Sequence, residues 1–297
     1  MKKIKKSMPL YVLLLPSAIL LICFAYIPLY GVIIAFKDYS PAAGIIGSQW
    51  VGLDHFRKFF NSYQFGTTIK NTLTISVYSI VVGFPLPIAL ALMCNQIRNG
   101  RFKKFFQVTT YLPHFISTMV MCGLILIFLS PSNGLFANIF NALGVKTPNL
   151  MAQATSFKHV YVWSDIWQHL GWDSIIYLAA LSAIDPTYYE AATLAGAGIL
   201  QKIRYIDLPL ILPTAMILLI MRAGSVLSVG FEKVLLLQNT QNILSSEIIS
   251  TYVYKVGLQS FQYSLSTAIG LFNTVVNIIV LLLVNWLAKK TTETSLF

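Results

Sequence analysis

Uncharged apolar runs long enough to cross a membrane constrain this 297-residue chain more than any other feature. Four runs lack Asp, Glu, Lys and Arg, and each exceeds the roughly 20 residues that a helix needs to cross the hydrocarbon layer. They are residues 7–36, 71–97, 105–145 and 256–288. Charged residues make up only 10% of the chain, against roughly 25% in an ordinary soluble domain. Because so few charges cannot cover the surface of a soluble fold, we expect an all-α polytopic membrane protein.

Six transmembrane helices are expected from these runs. The third run is too long for one helix, so we divide it into a crossing at about 107–129 and an outer loop that begins with the turn-forming segment 130–134. Two weaker apolar segments that carry charges, 159–183 and 208–230, supply the fourth and fifth crossings. The first run follows basic residues, as in a signal peptide, but it exceeds the roughly 7–15 apolar residues of such a peptide. We therefore expect a retained helix.

The distribution of positive charge predicts the orientation. Six crossings place both termini on one side, where twelve Lys and Arg residues lie in short segments, at positions 2, 3, 5, 6, 98, 101, 103, 104, 202, 204, 289 and 290. Eight lie in longer segments on the other side, at positions 37, 57, 58, 70, 146, 158, 233 and 255. By the positive-inside rule, both termini are expected in the cytoplasm of a cell whose plasma membrane holds the chain. Residues 1–67 would contain the first helix and first outer loop, 68–288 the core with the other five helices, and 289–297 a cytoplasmic tail.

Composition also excludes several classes of function. The net charge is +11, but a nucleic-acid-binding protein gathers its Lys and Arg in one patch, whereas here they form short clusters between apolar runs. A hydrophobic content of 56% excludes disorder. Cys23, Cys94 and Cys122 lie in or beside apolar runs without CxxC spacing. We expect them to be small buried residues rather than a disulfide or metal site.

The most informative segment is the predicted cytoplasmic loop between the fourth and fifth crossings. Asp185 is suited to cap a helix and Pro186 to occupy its first position, so a helix is expected to begin there. Gly196 can end it in a left-handed conformation. A second short helix with an apolar stripe follows, and Pro209 is expected to interrupt or kink it. The stripe consists of Ile199, Ile203 and Ile206. On these grounds the segment either rests in the lipid interface or docks onto a partner, and its few basic residues give little attraction to anionic lipid.

The same loop resembles the EAA signature of permease subunits of ATP-binding-cassette importers. Seven positions carry the resemblance: Glu190, Ala191, Ala192, Gly196, Ile206, Leu208 and Pro209. In that family the loop forms short coupling helices that dock into a groove on the cytoplasmic ATPase subunit. The resemblance implies that an exposed Glu190 meets basic groups of the ATPase and that Gly196 allows the turn. Ala195 departs from the family pattern, which has Asp before this glycine, so no polar contact is expected from that position.

Three further segments, 111–117, 171–180 and 230–237, look like the branch of this family that imports sugars, chiefly oligosaccharides and polysaccharide fragments. The resemblance implies a half-transporter. Two permease subunits, usually different chains, enclose the pathway; two ATPase subunits bind ATP and Mg; and an extracellular binding protein delivers the sugar. The chain has no GxxxxGK[ST] phosphate loop. We therefore expect a transport subunit that is not itself an enzyme and holds no cofactor.

Ionisable residues inside the predicted crossings are functional candidates, because each is costly unless it is paired or hydrated. Asp173 and Arg222 lie about 15 Å and about 21 Å from the inner ends of their crossings, within about one helical turn of each other in depth. We expect them to form an ion pair or to face one aqueous cavity on the substrate pathway.

Asp165, His169 and Asp173 have the i, i+4, i+8 spacing of ligands on one helical face. A stronger interpretation is an outer interfacial belt of aromatic side chains, with Asp165 and His169 near the water. The belt would consist of Trp163, Trp167 and Trp172. No metal site is therefore expected.

Sugar sites commonly stack aromatic rings on the saccharide and place amides and carboxylates at its hydroxyls. Such side chains follow the fifth crossing on the predicted outer side: Phe231, Glu232, Gln238, Asn239 and Tyr252. The resemblance implies that this region borders the cavity that receives the sugar. The same residues could equally pack against the binding protein or form outer-loop structure.

Two other classes of function compete with the importer. An ion-coupled secondary carrier or channel would act without an ATPase, and such carriers often contain two related halves; no repeat is visible in this sequence. A membrane-embedded enzyme could use Asp165 and Asp173 as an acidic pair, but a catalytic pocket usually brings together further polar residues, and the sequence indicates none.

Overall fold

The computed structural model describes residues 8–97, 99–145 and 148–292, in which the chain folds almost entirely into helices. Because hydrocarbon offers no hydrogen-bonding partners, a chain in a membrane has to pair its backbone groups internally, and helices do so within one segment. The described residues form two compact units, one of residues 8–65 and 253–273 and the other of 66–252 and 274–292. Some residues used in the predictions lie outside the described ranges. They are the basic residues before residue 8, Arg98, Lys146 and residues 293–297 of the predicted tail.

The helices and strands have the following bounds. The α-helices are α1 (Met8–Leu21), α2 (Ile27–Leu29), α3 (Gly44–Gly47), α4 (Asp54–Phe60), α5 (Tyr63–Gly83), α6 (Pro85–Gln96), α7 (Gly100–Tyr111), α8 (Thr118–Phe128), α9 (Leu135–Ala142), α10 (Phe157–Ser182), α11 (Pro186–Leu194), α12 (Ile199–Lys202), α13 (Leu208–Gly224), α14 (Phe231–Leu237), α15 (Ile243–Ser246), α16 (Ile249–Tyr254) and α17 (Tyr263–Thr292). Segments Tyr30–Phe36 and Leu112–Phe115 are 3-10 helical, and Ile22–Tyr26, Ile203–Asp207 and Lys255–Gln259 are π-helical. Strands β1 (Lys37–Asp38) and β2 (Gln49–Trp50) form a short antiparallel ladder.

In the first unit, an aromatic cluster surrounds Phe59, which is 2% exposed. Its ring lies edge-on to Phe65 and Phe272, with centroids 5.1 and 5.8 Å away. By contrast, α1 and the π turn after it are exposed along nearly their whole described length. Cys23, expected to be buried, is therefore exposed, because this stretch of the unit is left uncovered; Cys94 and Cys122, in the second unit, are buried as predicted.

In the second unit, α10 is the central helix and packs against α6, α7, α13 and the Leu112–Phe115 turn. Two hydrophobic clusters lie along it. The first contains Ile75, Cys122, Val162, Val234 and Ile248, among others. The second contains Leu90, Cys94, Tyr177, Leu181 and Ile211, among others. The charged and polar residues of α10 are therefore held between two packed regions.

Four helical spans of the described chain are long and apolar enough to cross a membrane: Leu10–Phe36, Tyr63–Gln96, Ile199–Gly224 and Tyr263–Lys290. They correspond to four of the six predicted crossings, and the fifth crossing ends at Gly224 rather than at residue 230. The helix α10 covers the predicted fourth crossing. It is not among these four spans, because its polar residues make it less apolar than they are. The prediction of six crossings with both termini in the cytoplasm stays a prediction.

The predicted third crossing is bent by 96° between Gly100–Phe115 and Thr118–Phe128, and counts as a fifth span if the pair is taken together. Ile116 is extended, and the Ser117 hydroxyl accepts a hydrogen bond from the Val120 N–H at 3.4 Å to begin α8. Gln168 of α10 donates to the freed Ile116 carbonyl at 2.8 Å. The bend is thus stabilised by a side chain that is distant in sequence.

Close packing of α10 against α7 predicts that Gly171→Ala destabilises the fold. A Cβ at Gly171 would overlap the backbone carbonyl of Thr110, and overpacking of this kind typically costs about 1–3 kcal/mol. Thermal unfolding of the detergent-solubilised chain measures the effect as a lower midpoint. Gly123→Ala in α8 is the matched control, because a Cβ there meets nothing within 4 Å. An unchanged midpoint for Gly171→Ala would contradict this packing.

Candidate functional site

The predicted helix–turn between the fourth and fifth crossings is present. The Asp185 side chain accepts a hydrogen bond from the Thr187 N–H at 2.9 Å, and Pro186 begins α11. Hydrogen bonds from the backbone and the side chain of Thr187 lower the pKa of the Asp185 carboxyl. The helix ends before Gly196, which has a φ of +77° as predicted. We refer to residues 185–209 as the coupling hairpin, after the role that the sequence predicts for them.

The second half of the coupling hairpin differs from the prediction at Pro209. The Gly198 N–H donates to the Gln201 side chain at 2.7 Å, and the short α12 begins there. Instead of breaking at Pro209, the chain remains helical through Ile203–Asp207 into α13. The wide π turn and the position of Pro209 in the first turn of α13 explain this, because a proline there removes no required hydrogen bond.

The signature residues lie on the surface of the coupling hairpin. Glu190, Ala191, Gly196, Leu208 and Pro209 are exposed, and Ala192 and Ile206 are half-buried. Ala192, Gly196 and Ile206 line one hollow of about 250 Å³, together with Ala195, the residue that departs from the family pattern. The structure therefore brings these three together and leaves Glu190, Leu208 and Pro209 outside the hollow.

The inner end of the coupling hairpin contains a buried acid that sequence reasoning missed. Asp207 is 0% exposed and accepts hydrogen bonds from the Tyr189 hydroxyl and, at 3.4 Å, from Gln96. Burial, followed by the neighbouring carboxylate, raises the pKa of the Tyr189 phenol, which therefore stays a donor. In the sequence, the position of Asp207 as a lone Asp between apolar residues could have indicated its burial.

Asp173 of α10 and Arg222 of α13 form the expected ion pair. Their side chains are 29% and 39% exposed respectively, so the pair is partly hydrated. It borders two cavities: one of about 210 Å³ with several serines, including Ser76 and Ser79, and one of about 660 Å³ lined mainly by apolar groups such as Trp172. A charged pair at the junction of a polar and an apolar cavity can interact with a hydrated solute.

A second ion pair, which the sequence did not reveal, joins α10 to α14. Lys233 is 4% exposed; its Nζ lies 3.3 Å from Asp165 Oδ1 and 5.4 Å from the Tyr161 ring centroid. Burial lowers the pKa of Lys233, and the Asp165 carboxylate opposes this shift. The Tyr161 hydroxyl also accepts a hydrogen bond from the Gly230 N–H at 3.1 Å. In the sequence, the available indication was a lysine that, with Glu232, interrupts the apolar residues of segment 231–237.

The three residues that have metal-ligand spacing all line the cavity of about 210 Å³, but their side chains have different partners. His169 Nδ1 lies 3.0 Å from the Asp165 carbonyl and 3.5 Å from its carboxylate, whereas Asp173 pairs with Arg222. Among the described residues, no group of three or more His, Cys, Asp or Glu side chains could hold a metal ion. The predicted aromatic belt is exposed on α10, at Trp163, Trp167 and Trp172.

The five predicted outer-side residues line neither of the two cavities at the Asp173–Arg222 pair. Glu232 is exposed, and Phe231, Gln238, Asn239 and Tyr252 are half-buried. Asn239 accepts hydrogen bonds from the Gln241 and Asn242 N–H groups and donates to the Met151 carbonyl. Gln238 donates to Ser246 at 3.1 Å. These amides organise the loop around α15, and a role in the substrate pathway stays a prediction.

Comparison with known proteins identifies similar chains over nearly the whole length. Residues 83–293 match the family described as "Binding-protein-dependent transport system inner membrane component". The polygalacturonan/rhamnogalacturonan transport system permease protein YteP of Bacillus subtilis (strain 168) is 42% identical over 97% of this chain and 90% of its own length. Protein LplB of the same organism is 38% identical over 100% of this chain and 93% of its own.

Two solved structures are similar as well. One is a bacterial ABC transporter involved in the import of the acidic polysaccharide alginate, with a chain 42% identical, a TM-score of 0.91 and 98% of both chains covered. The other is a bacterial alginate ABC transporter in complex with an alginate pentasaccharide-bound periplasmic protein, with 41% identity, a TM-score of 0.92 and 99% of both chains covered.

The Asp173–Arg222 pair predicts energetic coupling that a double-mutant cycle can measure. Asp173→Asn and Arg222→Gln each leave a partly buried charge without its partner, so each lowers the thermal midpoint, and the double variant loses less than the sum. Contacting pairs typically couple by about 0.5–3 kcal/mol. The exposed Asp54–Arg57 pair, 3.9 Å apart, is the control and is expected to couple by less than about 1 kcal/mol. Additivity at Asp173 and Arg222 would contradict the pairing.

The Asp165–Lys233 pair predicts that removing one partner destabilises the fold more than removing the other. Asp165→Asn leaves the buried Lys233 without its carboxylate, whereas Lys233→Met leaves Asp165, which is 40% exposed, in contact with water. Removing the carboxylate therefore lowers the thermal midpoint more than removing the lysine.

The pH dependence of Asp165→Asn tests the same contact. Without the carboxylate the pKa of the buried Lys233 falls further, so below the ordinary lysine pKa of about 10 the folded chain loses its proton before the unfolded one does, and stability relative to wild type rises as the pH increases toward that value. Equal midpoints for Asp165→Asn and Lys233→Met, with no relative gain at high pH, would contradict the assignment.

Proposed function

The chain belongs to the family of binding-protein-dependent transport system inner membrane components, and on that premise we propose that it is one permease subunit of an ATP-driven importer of oligosaccharides or polysaccharide fragments. The names of its relatives support this class of substrate: one is named for polygalacturonan and rhamnogalacturonan transport, and a similar structure for alginate import. A periplasmic protein loaded with a pentasaccharide accompanies a second similar structure, which supports delivery of the sugar by an extracellular binding protein.

The exposed apolar tip of the coupling hairpin is the observation that carries the coupling role. Leu194 is 92% exposed, Leu200 81% and Tyr205 70%. Large apolar side chains grouped on an exposed surface mark an interaction site. Glu190 is exposed on the same hairpin, where its carboxylate can meet basic groups of a partner. The coupling hairpin therefore docks onto an ATPase subunit, and two such subunits bind the ATP and Mg.

The substrate pathway is proposed to pass the Asp173–Arg222 pair. The partly exposed charges border both the serine-lined cavity and the larger apolar cavity beside Trp172. Such a surface offers hydrogen bonds to hydroxyls and an aromatic wall to a sugar ring. A second permease subunit, usually a different chain in this branch, would face it and close the pathway. ATP binding would rock both permeases outward-facing through the coupling hairpins, and hydrolysis would reset them.

Gentle purification of the tagged chain from its native membrane, followed by mass spectrometry, tests the assembly. We expect an ATPase with a GxxxxGK[ST] phosphate loop and a second permease to accompany it. A stably folded chain that is purified alone would contradict the proposal and favour a carrier that acts without an ATPase.

Charge reversal at Glu190 is predicted to weaken the ATPase interface. Glu190→Lys places a positive charge against the basic groups of the partner, so the amount of ATPase recovered with the tagged chain falls, and transport falls with it, while expression is unchanged. Asp54→Lys, an exposed acid in the first unit, is the control with the same change in charge. Normal ATPase recovery and transport for Glu190→Lys would exclude this role for Glu190.

A further inference from the structure

We propose that Tyr189, Asp207 and Gln96 form a joint that transmits movement between the coupling hairpin and the two membrane helices α6 and α13, with Asp207 as the positioning residue. The inference rests on the proposed function, since it assumes that an ATPase moves the coupling hairpin. It assigns the connection to three side chains outside the family signature.

The joint lies where three helical elements meet. Tyr189 is on α11, directly before the exposed Glu190; Asp207 is the last residue of the π turn that leads into α13; and Gln96 is the last residue of α6. The Tyr189 hydroxyl donates to Asp207 Oδ1 and the Gln96 amide donates to Oδ2. Each carboxylate oxygen therefore holds a different element.

The chemistry of the joint favours fixed geometry. Asp207 is fully buried, and within the described part of the chain no Lys or Arg forms an ion pair with it. A buried carboxylate that relies on neutral donors loses much of its stabilisation when one donor moves away. Tyr189 and Gln96 therefore have to follow Asp207, and a displacement of α11 reaches α6 and α13.

The rest of the coupling hairpin is tied to Tyr189. The Thr193 hydroxyl donates to the Tyr189 carbonyl at 2.6 Å, and Lys202 Nζ donates to the same hydroxyl at 2.8 Å. These contacts link α11 to α12, so force applied at the exposed tip reaches Tyr189 through a continuous set of hydrogen bonds. The π turn has the wider backbone that often marks functional positions in helices.

A purely structural role makes a different prediction from a joint. Replacing a buried polar pair by apolar residues of similar volume is often neutral for stability, so Tyr189→Phe combined with Asp207→Leu is expected to remain assembled. A joint, however, needs the directional hydrogen bonds, and this double variant loses them. Stability and transmission of movement can therefore be separated.

The experiment measures movement of α13 in the complete complex in liposomes. The labelled chain carries Ser225→Cys, together with Cys23→Ser to remove the exposed native cysteine. Ser225 is exposed at the end of α13 beside the cavities. Labelling by a membrane-impermeant maleimide is compared with and without ATP and vanadate. Coupling free energies between sites correspond to about fivefold changes or more, and we expect such a change in labelling rate for the wild-type joint.

In Tyr189→Phe and in the Tyr189→Phe, Asp207→Leu double variant, we expect the nucleotide response to fall to less than about half of the wild-type ratio, with the ATPase still bound and hydrolysing ATP. Tyr188→Phe, an exposed neighbour on α11, makes the same chemical change and is expected to keep the full response. Asp207→Asn retains an acceptor for Tyr189 and is expected to respond more strongly than the double variant.

Each outcome decides the question. A full response in either Tyr189→Phe or the double variant overturns the joint, and the double variant decides if the single variant does not assemble. An equal loss in Tyr188→Phe also overturns it, because the effect would not be specific to the Tyr189 hydroxyl that donates to Asp207. If the wild-type chain brings no ATPase with it, the proposed function fails; if the ATPase is present and the response of the joint variants is unchanged, only the joint fails.

Discussion

The rest of the structure depends on one constraint: a polar group removed from water has to find its partner within the protein. Regular helices provide these partners for most backbone N–H and C=O groups, and side chains provide them where helices break. Gln168 of α10 donates to the free Ile116 carbonyl at the bend of the third predicted crossing. In the same way, Asn277 of α17 accepts a hydrogen bond from the Leu227 N–H, just after α13 ends, at 2.9 Å. At these two breaks, side chains that are distant in sequence therefore pair backbone groups that the helices leave free.

This explains the unusual composition of α10. Its polar residues make it the least apolar of the predicted crossings, yet four of them have partners in the second unit. Gln168 caps the bend, Asp173 pairs with Arg222, Asp165 pairs with Lys233, and the Tyr161 hydroxyl accepts from the backbone after α13. A helix that offers hydrogen bonds and charges to several neighbours is costly in lipid alone but stabilising at the centre of a packed unit.

The sequence predicted what depends on local chemistry or on depth in the membrane. Asp185 and Gly196 define the start and turn of the coupling hairpin because capping and left-handed backbone are properties of single residues. Asp173 and Arg222 could be paired from their distances to the helix ends. Burial of Lys233 depends on α10, which is distant in sequence, so periodicity could not reveal it. Of the two effects expected at Pro209, the interruption was wrong, because a π turn upstream accommodates the proline and the helical span continues, and the kink stays a prediction.

The coupling hairpin combines two kinds of surface, and their difference is physical. At its inner end, the half-buried Tyr189 donates a hydrogen bond to the fully buried Asp207, and breaking this contact would leave a buried carboxylate short of a donor. At its outer end, Leu194 and Leu200 expose apolar area to solvent, which is unfavourable until a partner covers it. A rigid inner contact and an incomplete outer one are what the proposed transmitting role requires: the outer surface would gain energy on docking, and the inner contact would prevent the resulting movement from being absorbed within the loop.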